Sequence, residues 1–261
     1  MAWFDPLVGA IVGLLVLGAV FVPIERKWPL VRRRLWRKGW RTDVLHFAVT
    51  GILDAGFAIA GIVVAFLLVG WWTPAPLAFM NAWPAPATFL IAFLFGNIAG
   101  YWSHRLSHTV PLLWRFHKVH HSSEQLDWLA AARRHPLEQT WVALFIGTPL
   151  IFLGFQPAEV AAVQIVNVLW GIFLHSNVRF RFRRLRHVIA TPEYHHWHHS
   201  DDPARYDTNY ALFPFIDRMF GTHHLEEGRA TTFGVPGYDP GGYVRQLWEP
   251  FRRKPKTRPA D

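Results

Sequence analysis

The chain has 261 residues, of which 51% are hydrophobic, and its 14 Trp and 21 Phe exceed the aromatic share of a typical soluble domain. It contains no Cys, which excludes disulfides, thiolate metal sites and cysteine nucleophiles. The formal charge of +9 comes from basic residues grouped at the ends of apolar stretches, which is the pattern of membrane-flanking clusters rather than of a nucleic-acid-binding surface.

The first apolar stretch, residues 6–22, predicts an uncleaved membrane helix. A signal peptide would carry Lys or Arg before its apolar region. Here no Lys or Arg precedes the stretch, and a basic block follows it instead. Positive residues stay on the cytoplasmic side, so the C-terminal end of this helix is expected there. The block comprises Arg26, Lys27, Arg32, Arg33, Arg34, Arg37, Lys38 and Arg41.

Four further apolar stretches follow in chain order. Residues 44–72 form a long one that contains Asp54, which is either a contact inside the helical bundle or part of a substrate path. A third, residues 87–102, begins after a loop rich in Pro. The last two, residues 138–155 and 158–174, are separated only by Gln156 and Pro157, which predicts a helical hairpin.

A membrane span needs roughly 20 apolar residues, which the first three stretches reach or approach. The predicted fold is therefore an all-α integral-membrane helical bundle, with about three spanning helices plus the hairpin and a cytoplasmic histidine-rich cap. Residues 1–230 are expected to form a single membrane-embedded domain. Residues 231–261 read as a loose, peripheral, basic tail rich in Pro and Gly. The charge pattern favours an inner or plasma membrane location.

Histidine spacing is the most informative feature of the sequence. Fourteen of the 15 His lie between positions 104 and 224. On a helix, pairs at i, i+4 and triplets at i, i+3, i+4 present their rings on one face. Neutral imidazole binds iron, zinc and copper, and eight imidazoles are too many for one ion, so the spacing predicts two metals. The same-face groups are His104 and His108; His117, His120 and His121; and His195, His198 and His199.

Two isolated histidines are further candidate ligands, because they flank the hairpin at the same membrane depth as the groups: His135 and His175. The remaining ones, His46, His187, His196, His223 and His224, are expected to lie outside the site. Carboxylates near the groups could act as ligands or hold the imidazoles; they are Asp127, Glu138, Glu193, Asp201, Asp207 and Asp217.

Three side-chain roles near the third group can be stated as expectations. Asp217 and Arg218 are expected to form an ion pair that fixes the C-terminal segment. Asn209 and Tyr210 could hold the segment that follows the third group. Trp197, inside that group, lines a lipid tunnel or packs at the membrane interface.

The histidine pattern resembles that of the fatty acid hydroxylase / sterol desaturase superfamily of integral-membrane di-iron enzymes. The resemblance covers residues 40–222 and is carried by "HRLSH", "LWRFHKVHHSSEQLDWLAAARRHPLE", "TPEYHHWHHS" and "NYALFPFIDRMFGT". It implies a di-metal centre held by the eight grouped histidines. Some relatives carry a further HxxxH pair, of which this chain keeps only His175, because Gly171 stands four residues earlier. His135 is then the candidate for the tenth ligand.

The resemblance implies O2-dependent hydroxylation or desaturation of an unactivated C–H bond in a lipid by two iron ions, which zinc can replace in a purified protein. The implied partners are a lipid entering from the bilayer, O2, and an external electron donor of ferredoxin or cytochrome type with its reductase; nucleic acid is not among them. The basic block of residues 179–186 is a candidate docking site for that donor. The alternatives are a zinc-dependent membrane hydrolase and a non-catalytic metal-binding membrane protein. The HExxH motif that is typical of zinc proteases is absent from the sequence.

Overall fold

The computed structural model describes residues 5–69, 83–155 and 157–252. Within these ranges the chain is helical, and its only strand-like pairings are two isolated antiparallel bridges, between Pro29 and Val178 and between Ser200 and Phe233. The predicted all-α class is confirmed. The principal helices are α1 (Pro6–Lys27), α2 (Trp40–Leu45), α3 (Gly51–Val69), α4 (Ala85–Thr109), α5 (Pro111–His121), α6 (Pro136–Phe152), α7 (Pro157–His175), α8 (Pro192–His198), α9 (Pro214–Met219) and α10 (Tyr243–Trp248).

Proline marks the start of most helices that carry the site. Pro111, Pro136, Pro192 and Pro214 each occupy the first turn of a helix, where a missing N–H costs nothing and the fixed φ favours the helical backbone. The end of α6 is also set by local chemistry, because Gly154 has a φ of +84°, which glycine adopts without strain.

Among the described residues, four helical segments are long and apolar enough to cross a membrane: Pro6–Lys27, Trp40–Leu68, Ala85–Thr109 and Ala158–His175. The second is continuous through a π-helical turn at His46–Thr50 that joins α2 to α3. The fourth is the second arm of the predicted hairpin, which therefore has the length of a full span. The predicted loop between the second and third stretches lies mostly outside the described residues.

The bundle core lies between α4, α6 and α7. Its buried residues are Ala92, Ile146, Leu150, Phe155, Val160 and Val163. Two glycines allow close helix approach: a Cβ at Gly61 would lie 2.6 Å from the carbonyl oxygen of Thr140 on α6, and one at Gly96 would lie 3.2 Å from Val163. The hairpin is therefore packed into the bundle, and its open end lies beside the C-terminal end of α4.

The segment after residue 230 differs from the loose tail that the sequence predicted. Phe233 is buried with Leu126, and Gln246 on α10 is 1% exposed and hydrogen-bonded to His46 (2.8 Å). Because apolar and polar residues of this segment are both matched by partners on the helical body, residues 231–252 form part of the packed structure. The last residues, 253–261, lie outside the described ranges.

Candidate metal centre

Nine of the ten predicted ligands converge in two adjacent groups. Within each group the candidate ligand atoms lie within 4.8 Å of one another. The first group comprises His104, His108, His117, His121 and His198, and the second comprises His120, His175, His195 and His199. All but His104 are buried. The two groups are in contact, since the rings of His121 and His199 stack with centroids 4.3 Å apart.

Helix geometry explains how three sequence clusters become two groups. The pair on α4 faces the first group only. On α5, His117 and His121 enter the first group, whereas His120, adjacent in sequence but turned by about 100°, enters the second. On α8 the division is reversed, because His195 enters the second group and His198 the first. His175, the last residue of α7, completes the second group from the hairpin.

The outer ring nitrogens are held by hydrogen-bond acceptors. Nδ1 of His104 donates to the carbonyl of Tyr210 (3.0 Å), and Nδ1 of His198 donates to that of Thr208 (2.7 Å). His117 donates instead to a carboxylate, Oε1 of Glu138, at 2.6 Å. A proton fixed on Nδ1 leaves Nε2 as a lone pair pointing inward, which is the usual arrangement of a metal-binding histidine.

The second group shows most directly that these atoms suit a cation. Nδ1 of His120 donates to the Arg133 carbonyl (3.0 Å), and Nδ1 of His175 donates to that of Gly171 (2.6 Å). Their Nε2 atoms nevertheless face each other at 3.1 Å. Neither neutral ring has a second proton to donate, so two lone pairs converge. A metal ion bound among them would convert this repulsion into coordination.

Burial favours the neutral, metal-binding form of five of the imidazoles outside the spans. Removal from water, followed by the field of the neighbouring rings, lowers the pKa of each well below the usual value; they are His120, His121, His195, His198 and His199. His198 Nε2 is buried and has no hydrogen-bond partner among the described residues. The donor set therefore fits two nitrogen-ligated divalent ions.

His135 is the predicted ligand that the structure does not bring to either group. It caps α6, with Nδ1 accepting the N–H of Leu137 (3.2 Å) and Nε2 donating to the carbonyl of Leu247 (3.0 Å). Both ring nitrogens thus serve the backbone. Of the histidines expected to lie outside, His46 binds Thr50 and Gln246, and none of the others belongs to a group.

The structure separates the six candidate carboxylates by role. Glu138 holds His117, and Asp207 lies 3.8 Å from Nδ1 of His108. The others serve the scaffold: Asp127 caps a short helical turn and pairs with Arg37, Glu193 pairs with Arg186, Asp201 binds Thr232, and Asp217 binds backbone.

The predicted Asp217–Arg218 ion pair is not formed. The Asp217 carboxylate accepts hydrogen bonds from the N–H of Tyr210 (2.9 Å) and from the hydroxyl of Tyr194 (2.9 Å), whereas Arg218 donates to the carbonyl of His187 (3.2 Å). Backbone amides in the turn before α9 lie closer to the carboxylate than the guanidinium of the next residue. Asp217 therefore fixes the same segment through different donors.

Asn209 and Tyr210 hold the segment after the third histidine group, as expected. Asn209 has a φ of +59° and donates to the carbonyls of Tyr194 and His224. Trp197 is partly buried and packs on the cluster around Phe233. Asp54 is a contact within the bundle, where it accepts from Arg134 (3.3 Å) and Gln139 (3.2 Å).

A buried ion network behind His120 had no signal in the sequence. Asp43, 0% exposed, pairs with Arg37 (2.7 Å) and with Arg133 (2.6 Å), whose carbonyl holds His120. Arg37 had been grouped with the basic residues flanking the first span, yet it is 4% exposed. Charge patterning cannot distinguish a buried arginine from a lipid-facing one when both lie in the same basic block.

The histidine geometry agrees with the similarity of the chain to known proteins. The family model described as "Fatty acid hydroxylase" matches residues 89–222, a range that contains both histidine groups. The chain belongs to the fatty acid hydroxylase family. As a member of this family it is an oxidoreductase, and the four long apolar helices in the described part of the chain make it an integral membrane protein.

Relatives of this chain are lipid enzymes by name. It is 27% identical to "Ornithine lipid hydroxylase OlsE" of Rhizobium tropici, over 97% of the chain and 77% of that protein. It is 37% identical to "Alkylglycerol monooxygenase" of Danio rerio over 56% of the chain, and 34% identical to that of Homo sapiens over 55%. The matches cover 33% and 32% of these two proteins. No solved structure matches the chain.

Proposed function

We propose that this protein hydroxylates an unactivated C–H bond of a membrane lipid, using O2 and two iron ions. The observation that carries the proposal is the pair of adjacent imidazole groups, with lone pairs facing inward, at one end of apolar membrane helices. The proposed ligands are His104, His108, His117, His121 and His198 for one ion, and His120, His175, His195 and His199 for the other.

Iron held by nitrogen ligands supplies the activation of O2 that a C–H bond requires. The overall reaction consumes the lipid, O2, two electrons and two protons, and yields the hydroxylated lipid and water. The chain contributes neutral ligands, fixed in orientation by carbonyls and by Glu138, in a buried setting that limits access of water. No residue beyond the metal ligands is needed as a catalyst in this proposal.

Hydroxylation is favoured over desaturation and over hydrolysis by the names of the relatives, which are a hydroxylase and monooxygenases. Ornithine lipid and alkylglycerol, as named there, share an aliphatic chain beneath a polar headgroup. A lipid of this build can remain in the bilayer while part of its chain reaches the metal centre. We therefore propose a headgroup-bearing membrane lipid as the substrate class.

The metal centre is proposed to face the cytoplasm of an inner or plasma membrane, since basic residues flank the ends of α1 and α4 on that side. The electron donor is proposed to be an acidic ferredoxin or cytochrome, supplied by its reductase. Exposed arginines after α7 offer a complementary surface: Arg179, Arg181, Arg183 and Arg184. Replacing Arg181 and Arg183 by Gln should slow donor-dependent turnover at low salt; an unchanged salt dependence would remove this donor site.

An oxygen-labelling experiment distinguishes the candidate reactions. The purified, iron-loaded protein is supplied with lipid, a reductant system and ¹⁸O2, and the product is analysed by mass spectrometry. A hydroxylase places the label in the lipid, a desaturase releases it only as water, and a hydrolase takes oxygen from water alone. A lipid product without ¹⁸O would overturn the proposal.

Two variants test whether the histidine groups carry the reaction. The double variant His120→Ala/His198→Ala removes one proposed ligand from each group and should lose both iron and product. The matched control is His187→Ala, which removes an exposed histidine that belongs to neither group and should leave both unchanged. Product formation by the iron-free double variant would contradict the assignment of the site.

A further inference from the structure

The short helix α10 has a polar inner face and a mainly apolar outer face. Contacts of the inner face with a membrane span determine the height of α10 relative to the membrane. Gln246 is buried and binds Nε2 of His46, while the hydroxyl of Tyr243 lies 3.2 Å from Oγ1 of Thr50. Both partners belong to the π-helical turn inside the apolar segment Trp40–Leu68. Helix α10 therefore lies against the first turns of a membrane span.

The outer face of α10 exposes large apolar side chains. Val244 and Trp248 are 66% and 68% exposed, and Phe251, just after the helix, is 50% exposed. Val244 and Trp248 are four residues apart, so they share one face of the helix, and each is two residues from Gln246, which places them on the side opposite the protein body. Arg245 and Arg252, also exposed, flank this face.

The neighbouring span continues this apolar surface. Leu45 and Val49, each one residue before a partner of α10, are 43% and 40% exposed and belong to the span itself. The first turns of a membrane span lie, by their position in the span, near the boundary between lipid headgroups and acyl chains. Trp side chains favour that boundary, and Arg side chains there reach anionic headgroups.

We propose that α10 is an interfacial membrane anchor, with Val244, Trp248 and Phe251 inserted at the boundary between headgroups and acyl chains and with Arg245 and Arg252 at anionic headgroups. A bilayer fits this face better than a soluble acidic partner does, because the face is mainly apolar and is continuous with a lipid-facing span. This inference concerns how the protein is held in the membrane and does not depend on the proposed reaction.

The anchor is connected to the helix that carries the second histidine cluster. Lys118 on α5 pairs with Glu249 (3.1 Å), and Arg115 donates to the carbonyl of Arg252 (2.9 Å). His117, His120 and His121 lie on the same helix. An inserted α10 therefore holds α5, and with it the metal centre, at a fixed height above the acyl chains.

The absence of Cys allows a direct test, because each introduced Cys is a unique labelling site. Val244→Cys and Trp248→Cys are each nitroxide-labelled in nanodiscs of phosphatidylcholine and phosphatidylglycerol. Depth is read from electron paramagnetic resonance relaxation by O2, which concentrates in lipid, and by a water-soluble nickel chelate. Both positions are expected to show high relaxation by O2 and low relaxation by nickel. The matched control is Ala204→Cys, an exposed position on the loop after α8, which should show the reverse.

Two results would overturn the proposal. In the first, positions 244 and 248 are as accessible to nickel as position 204 in nanodiscs. In the second, they become protected only after an acidic ferredoxin is added, which would assign the face to a soluble partner. Because both side chains are exposed, their replacement is not expected to impair folding, and circular dichroism of the labelled variants checks this.

Discussion

At the scale of single residues, Glu138 differs from the other partners of the histidine groups. Carbonyl oxygens hold His104, His120, His175 and His198, whereas His117 donates to the Glu138 carboxylate. A full negative charge behind an imidazole increases its basicity as a ligand and stabilises the more oxidised state of a bound metal. The two metal positions should therefore differ in reduction potential.

Substitution of Glu138 separates charge from hydrogen bonding. Glu138→Gln keeps an acceptor for Nδ1 of His117, so metal content should persist while the reduction potential of the first site rises. Glu138→Ala leaves the ring unheld, and metal affinity should fall about 10- to 100-fold. Metal analysis after dialysis against a chelator and spectroelectrochemistry measure these effects. Glu124→Gln, which removes an exposed carboxylate paired with Lys38, is the control. An unchanged reduction potential in the Gln variant would refute the role of the charge, and equal metal loss in the Gln and Ala variants would refute the role of the hydrogen bond.

A second residue-level prediction tests the ligand set. His175→Ala should release the ion from the second group while the first is retained, so metal per chain should fall to about half of its initial value. His135→Ala should keep full metal content, because its ring serves only the backbone; loss of the helix cap should cost about 0.5–2 kcal/mol of stability. Elemental analysis and thermal unfolding separate the two effects. Metal loss on replacing His135 would restore it as a ligand.

The sequence predicted which side chains meet but not how they divide. The i, i+3, i+4 spacing of the grouped histidines predicts that they share a helix face, and the location of His175 at the end of the hairpin identifies it as a further candidate ligand. The division into two groups depends on how α5 and α8 lie against each other, which no local spacing contains. Partners such as the carbonyls of Arg133 and Thr208 carry no sequence signal, because every residue has a carbonyl.

At the scale of elements, apolar length predicted the helices well and their ends less well. The third stretch was expected at residues 87–102, whereas α4 runs through Thr109 and includes the first histidine pair. Polar residues in its last turns lie where the helix leaves the apolar region, so hydrophobicity alone ends the prediction too early. The sequence also does not predict the packing of α10. This helix has six residues, and its buried residue, Gln246, is polar while its exposed residues Val244 and Trp248 are apolar, so its pattern is too short and too atypical to recognise.

Close packing of α3 on α6 gives an element-level prediction. A Cβ at Gly61 would lie 2.6 Å from the Thr140 carbonyl oxygen and 3.1 Å from the Cβ of Ala143, both on α6. Because the carbonyl oxygen is part of the helix backbone, it cannot move away without displacing the helix. Gly61→Ala should therefore destabilise the bundle by about 1–3 kcal/mol despite the better helix propensity of Ala. Gly56→Ala, on the same helix with nothing within 4 Å, is the matched control and should be neutral or stabilising. Thermal unfolding in detergent measures both; equal midpoints would show that the helices separate to accommodate the methyl group.

At the scale of the whole molecule, the histidine groups and the basic residues that flank the spans lie at the same end of the helical bundle. The C-terminal ends of α1, α4 and α7 and the start of α6 lie at the same end of the bundle. His108 of α4 and His175 of α7 belong to the histidine groups, Glu138 of α6 binds His117, and Glu25 of α1 accepts the N–H of Asn177 (2.8 Å). The first two of these ends carry Arg26, Lys27 and Arg105. Because the positive-inside rule acts on residues near span ends, it assigns all of these ends to one side together. The location of the metal centre therefore follows from the topology of a single helix such as α4.

Helix α4 spans about 37 Å at 1.5 Å per residue, so its two ends report opposite sides of a membrane. Trp83, just before it, is 50% exposed, and Ala204 lies exposed on the loop after α8, beside the histidine groups. In the natively Cys-free chain, Trp83→Cys should react with a membrane-impermeant maleimide in intact spheroplasts, and Ala204→Cys should react only after permeabilisation. Labelling after denaturation controls for expression of each variant. The opposite pattern would place the metal centre outside the cell, away from the cytoplasmic reductases on which the proposed electron supply depends.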